Sequence, residues 1–261
     1  MGTWRTRLAL LMLLVWAGRA DARPGQQLTL HYDIYYLAFH IVSIDVASHV
    51  EHQGYRTSVA LRTAGVLALL APWESRAVAS GTVDGDTLRP ASYQARSEYR
   101  ERRQRIDLEY GSGGAVRGGA DGPLSDGERD EVPADLRDGT VDPVTAGAAI
   151  AQRLAATGTC AGVVRVFDGL RRYDLWYEDL GMAELPPSRR DPFAGSARHC
   201  RATVHPIAGF LRTGDRAGER ATELSAWLAP PVPGASPVTL RMDVTGTRGT
   251  LHVHLARATA P

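Results

Sequence analysis

The sequence predicts a mainly β protein: one large antiparallel sheet curled into a half-barrel or open barrel, with one or two short helices. Three observations carry this expectation. Apolar and polar residues alternate with period two over many short runs, the pattern of strands with one dry and one wet face. Glycine-based turn signals separate the runs, at Gln53-Gly54, Asp84-Gly85, Asp168-Gly169 and between Gly246 and Gly249. One stretch alone, residues 142–158, reads as a full helix.

In chain order, residues 1–22 read as an export signal. Arg5 and Arg7 give a positive start, residues 8–16 are apolar, and Ala20-Asp21-Ala22 offers small residues for cleavage. Nine apolar residues are too few to span a bilayer as a helix. No later run approaches the length of a span, so no transmembrane segment is expected in the mature chain. The expectation is a periplasmic product, residues 23–261, folded as a single β-rich domain.

Cleavage removes Arg5, Arg7, Arg19 and Asp21 from 30 basic and 29 acidic residues, leaving 27 and 28. A mature chain so near neutral gives no reason to expect nucleic acid as a partner. Every basic residue other than histidine is arginine, and asparagine is absent. That excludes a Schiff-base lysine and N-linked glycosylation.

The strands follow. Val42, Ile44, Val46 and Val50 share one face, and Tyr55, Thr57, Val59 and Leu61 alternate with polar partners after the Gln53-Gly54 turn. Asp84-Gly85 joins residues 78–83 to residues 87–99. Ile106, Leu108 and Tyr110 alternate with Arg105, Asp107 and Glu109. Residues 111–138, rich in Gly, Asp and Glu, read as a mobile insertion without core. Then Asp142 can cap a helix, Pro143 suits its first turn, Val144, Ile150 and Leu154 share a side, and Gly158 can close it.

Residues 160–204 read as three antiparallel strands. Two apolar runs flank Asp168-Gly169, and a third, residues 197–204, holds the second cysteine. Cys160 and Cys200 are the only cysteines. In an exported chain, on neighbouring strands, they are expected to form a disulfide. Two final strands carry Val238, Leu240, Met242 and Val244, then Leu251, Val253 and Leu255.

Several of these stretches together resemble a family of exported bacterial proteins known as domain of unknown function 3108. They are Tyr32-Asp33-Ile34-Tyr35-Tyr36, Pro72-Trp73-Glu74-Ser75, Asp142-Pro143, Cys160 with the run Val166-Phe167-Asp168-Gly169-Leu170-Arg171-Arg172-Tyr173, and Pro206-Ile207-Ala208-Gly209-Phe210. The resemblance implies an antiparallel fold similar to the half-barrels of periplasmic lipoprotein carriers. It implies no activity and no catalytic residues. The chain departs from the family at the first hairpin, where Leu37-Ala38-Phe39 stands in place of the family's frequent glycines.

No constellation points to catalysis. Ser43, Asp45 and His49 could be drawn as a triad, but no Gly-x-Ser-x-Gly elbow exposes a nucleophile. His31, His40, His49, Glu51 and His52 form a loose histidine-rich region. His252 and His254 lie two apart on a face opposite Leu251, Val253 and Leu255, expected to be wet. No third ligand stands at zinc spacing, so they read as surface histidines and no metal or cofactor is expected. Glu98, Glu101 and arginines 100, 102, 103 and 105 read as a solvated face with cross-strand ion pairs.

The expected function comes from an imbalance. A large sheet has a large dry face, and one helix of about 22 Å cannot cover it. Curling leaves either a filled core or an apolar cavity. The reading is a non-enzymatic periplasmic protein that binds or carries an apolar small molecule, a lipid or acyl chain, in its groove. Val66, Leu67, Leu69, Leu70 and Trp73, apolar without strand alternation, are expected at the groove rim. Trp73, Trp176 and Trp227 read as core or rim aromatics. The alternative is a structural protein of the envelope with a filled core and an envelope protein as partner.

Overall fold

The computed structural model of the chain describes residues 26–51, 53–85, 87–122, 130–210, 223–246 and 249–260. The expected export signal therefore lies outside the described residues. A first run of strands comprises β1 (Gln26–Tyr36), β2 (Phe39–Val50), β3 (Gly54–Thr63), β4 (Trp73–Asp84), β5 (Thr87–Tyr99), β6 (Arg102–Tyr110) and β7 (Val116–Asp121). A second comprises β8 (Gly162–Phe167), β9 (Arg172–Leu185), β10 (Gly195–Ala208), β11 (Glu223–Ala229), β12 (Val238–Gly246) and β13 (Gly249–Thr259). The three helices are α1 (Leu67–Leu70), α2 (Ala134–Arg137) and α3 (Pro143–Thr157).

All thirteen strands form one antiparallel sheet, ordered β7-β6-β5-β4-β3-β2-β1-β13-β12-β11-β10-β9-β8. Each strand pairs with its neighbour in sequence, except at the centre, where β1 pairs with β13. The sheet is not closed. Its edges β7 and β8 are clasped by residues 130–141 instead. The Asp138 carboxylate accepts from the Val116 amide, the Gly139 amide donates to Gly114, and the Val141 backbone exchanges hydrogen bonds with Arg165 and Phe167.

Alternation decides which side of the sheet is interior. Leu28, Leu30 and Tyr32 on β1, Tyr55 on β3, Ala77 and Ala79 on β4, and Tyr93 and Ala95 on β5 turn inward and are buried. Helix α3 lies against this face, touching β3, β4, β5 and β8. It begins and ends as its sequence dictates. Asp142 accepts from the Thr145 amide, Pro143 stands at the start, and Gly158 stops the helix in the left-handed region at φ 74°. Thr145, Ala146, Ile150 and Leu154 form its buried side.

The disulfide is present, with Cys160 and Cys200 6.3 Å apart at Cα. It ties the segment between α3 and β8 to β10, passing over β9. The hairpin before it has a four-residue turn, wider than the Asp-Gly pair alone suggests. The Asp168 carboxylate accepts from the amides of Leu170 and Arg171, and its own amide bonds back to Arg171. An aspartate gathering the turn's amides explains the extra length.

Two expectations need correction. Residues 111–138 do carry core. Residues 116–121 form β7, and Val116 and Val132 are buried among Leu108, Tyr93 and Phe167. Glycine hides this strand from pattern reading. A Cβ at Gly118 would stand 2.0 Å from the Asp107 carbonyl oxygen, so only glycine fits there. Residues 123–129 of this stretch lie outside the described residues. His254, expected to be wet, is buried. Residues 186–194 form a strap across the outer face of the sheet, and within it Asp191, also buried, hydrogen-bonds the His254 imidazole.

Candidate ligand-binding interior

The two ends of the interior differ. At the end holding α3, inward side chains are sealed: Ala79, Leu108, Val166 and Phe167 are at most 1% exposed. The Tyr55 and Thr145 hydroxyls hydrogen-bond at 2.7 Å, and Thr145 donates to the Asp142 carboxylate at 2.6 Å. Desolvation pushes the Tyr55, Tyr93 and Tyr110 hydroxyls up and raises the Asp142 carboxyl. This end is a filled core with one satisfied polar centre.

At the opposite end most inward apolar residues are only half-buried, although Val253, level with Ile34, is buried. Ile34, Val42, Ile44, Leu61, Val244 and Leu251 share the interior face by register and remain partly exposed. One wall of this space is apolar. The other carries a polar row, in which Ser75, Ser97 and Gln104 are direct neighbours across β4, β5 and β6. Trp73 donates its indole N–H to Ser97, and the buried Gln104 side-chain nitrogen has no hydrogen-bond partner. Such a space suits a molecule with an apolar body and a polar group. Tyr177, from β9, belongs to the other end, packed with Ile150, Leu154 and the disulfide, where burial pushes its hydroxyl up to about 12.

The rim of this open end is apolar. The β1–β2 turn presents Leu37 and Phe39, and the β3–β4 connection presents Val66, Leu69 and Leu70, all more than 60% exposed. The two segments are neighbours, since the Ala64 amide donates to the Ile41 carbonyl. Of the expected rim residues, Leu67 and Trp73 are half-buried beneath the other three. The leucines of α1 do not plug the interior.

The histidine-rich region lies on the outer face, where His31 meets Asp45 through Nδ1 and Asp33 through Nε2 and so joins two small polar groups. Ser43, Asp45 and His49 do not converge. Ser43 meets Asp33 and His40, Asp45 meets His31 and Arg62, and His49 meets Glu51. His52 lies outside the described residues. His40 approaches both Ser43 and Asp33 through the same nitrogen, Nε2. A proton relay needs the two ring nitrogens to serve different partners, and His31, which does so, stands between two carboxylates, Asp33 and Asp45, rather than beside a hydroxyl nucleophile. Among the described residues no cluster has the makings of a metal site. Trp227 is stacked on His199 on this face, and Trp176 is exposed beside His205. The same face holds a hollow of about 730 Å³ over β4 to β7, lined mainly by charged side chains including Arg76, Arg96 and Arg105, which ill suits an apolar occupant. Glu98 and Arg103 pair across it, as the charge run suggested.

A family model described as a protein of unknown function, DUF3108, matches residues 31–254. The chain belongs to this family. The match runs from β1 into β13 and so spans the whole sheet of the DUF3108 fold. No curated protein matches the chain. A solved structure, a beta-barrel-like protein of domain of unknown function DUF1849 from Brucella abortus, is similar at a TM-score of 0.54 and 10% identity. The alignment covers 92% of this chain and 99% of that one. The likeness shows that the two chains share a barrel-like fold.

Proposed function

We propose that this DUF3108 chain is an exported, non-enzymatic protein that binds an apolar envelope molecule, such as a lipid or acyl chain, in the open end of its interior. One observation carries the reading: inward apolar residues are sealed at the α3 end, and most of them, with Val253 the exception, are half-exposed at the other. Half-exposed side chains such as Val42 and Leu61 forgo part of the burial that stabilises a core, and a bound chain restores it. The Ser75–Ser97–Gln104 row would meet the ligand's polar group. The test is a fluorescent acyl probe, read beside native mass spectrometry of the chain purified without detergent from its source cells. Micromolar probe binding, lost in Val42→Trp without a fall in melting temperature, supports the reading. A parent chain that binds no probe and carries no copurified lipid overturns it.

A second reading has its own support. Val163 and Trp176 are direct neighbours on the outer face of β8 and β9, and both are exposed beside the sheet edge, with Met182 further along β9. An exposed apolar patch at an edge favours a protein partner. Copurification of one envelope protein, lost in Trp176→Ser, would favour this reading.

A further inference from the structure

Among the described residues, two that are not glycine have φ in the left-handed region: Leu37 at 54° and Arg100 at 56°. They stand in two different turns, β1–β2 and β5–β6. In a meander, alternate turns fall at the same end, so both belong to the open end of the interior. A side chain in this conformation costs roughly 1–2 kcal/mol, and glycine would avoid most of it. Leu37 recovers nothing by burial, being 69% exposed. Backbone strain of this kind, in two turns at one place, points to a role other than stability.

The neighbours of these two residues define the role. Leu69, 85% exposed, and Leu70 extend the apolar tip from the adjacent α1. One layer below, Trp73 and Tyr99 are register partners at the ends of β4 and β5, and Tyr36 ends β1. Arg100, in the β5–β6 turn, lies over the Tyr99 ring at 5.4 Å, and Arg102 follows it beyond the exposed Glu101; among the described residues no ion pair engages either arginine. Apolar tips, an aromatic layer and exposed arginines in one rim match the layers of a bilayer surface: acyl chains, interface, and anionic phosphates. A protein partner's surface would not require apolar groups on protruding turns with cations set back from them.

We propose that this rim docks on the surface of an anionic phospholipid bilayer, with Leu37, Phe39, Val66, Leu69 and Leu70 inserted and Arg100 and Arg102 at phosphate level. The inference deepens the ligand-binding reading, since it puts the mouth of the interior against a source of apolar ligand. It also stands apart from it, since docking needs no occupant inside.

The test uses the full chain with Leu69→Cys carrying an environment-sensitive fluorophore, and Gln53→Cys at the opposite end as control. Vesicles are phosphatidylcholine with or without phosphatidylglycerol, and brominated acyl chains report depth. The expected result is a blue shift and bromine quenching at position 69, stronger with phosphatidylglycerol, and neither at position 53. Phe39→Asp with Leu70→Asp in the labelled chain should weaken the partition about tenfold or more. The proposal is overturned if position 69 stays in water while the chain floats with vesicles. It is also overturned if the aspartates leave the partition unchanged, or if the label is shielded without vesicles by a second copy. Val42→Trp separates the two readings. Loss of acyl probe with insertion intact leaves docking standing, and a parent that inserts but binds no probe fails the interior reading alone.

Discussion

Asp191 and His254 meet on the outer face of the sheet, one from the strap and one from β13, and both are buried. Their bond holds residues 186–194 down, with Arg190 stacked over Tyr35 at 4.6 Å nearby. Asp191→Ala leaves a buried imidazole without this partner, which costs roughly 1–3 kcal/mol. The variant should unfold at lower urea than the parent and be cut first by trypsin at Arg189 or Arg190. A variant as stable and as resistant as the parent would mean that the strap is held by Phe193 and its apolar neighbours instead.

Cys160 and Cys200 close a loop with a sequence separation of 40 residues. The chain-entropy view gives this crosslink about 4 kcal/mol. Denatured but unreduced protein should show no free thiol, and reduction should lower the urea midpoint by the corresponding amount. Two free thiols in that assay would refute the crosslink in the folded protein.

Burial raises the Asp142 carboxyl above the ordinary aspartate value of 3.8, against hydrogen bonds from Thr145 that lower it. The folded state therefore holds this proton more tightly than the unfolded chain. Its contribution to stability is fully present below the unfolded value and is lost as pH rises through the folded one. Asp142→Asn, which can still cap the helix through its side-chain oxygen, should gain on the parent as pH rises from acid to neutral. Asp142→Ala, which also lacks the carboxyl, should follow the same pH course and lie about 1 kcal/mol below the asparagine variant for want of the cap. Urea titrations across that range check both. An asparagine variant that loses ground as pH rises would reverse the assigned sign.

Leu37→Gly should separate stability from docking. Relief of the positive φ outweighs the greater freedom of glycine in the unfolded chain, for a net gain of about 0.5–1 kcal/mol. Vesicle partition should fall at the same time, because a tip residue is gone. A glycine variant that is destabilised would show that the leucine side chain packs more firmly than its exposure indicates.

Local chemistry was readable wherever the chain announces it locally. Asp142, Pro143 and Gly158 marked α3 because capping groups act within one turn, and the alternation at Ile106–Leu108–Tyr110 marked β6 because one face must be dry. Thirteen strands emerge among the described residues, more than the alternating runs mark. β7, with its run Gly118-Gly119, shows no alternation, and its place depends on a close approach to the backbone of β6. Nothing near His254 in sequence says that Asp191 will cover it, because the pair lies 63 residues apart. The apolar character of residues 66–70 was plain, but their exposure follows from tertiary placement.

The seam between β1 and β13 has a mechanical consequence. Thr29 faces Thr259 there, so the first and last strands run antiparallel with their outer termini side by side in the middle of the sheet. Tension applied to the two ends would load that seam one rung at a time, as in opening a zip, rather than shearing the whole ladder at once. The first structure to yield to a pull would be the middle of the sheet, while the disulfide-bound flank and the α3 core stayed intact.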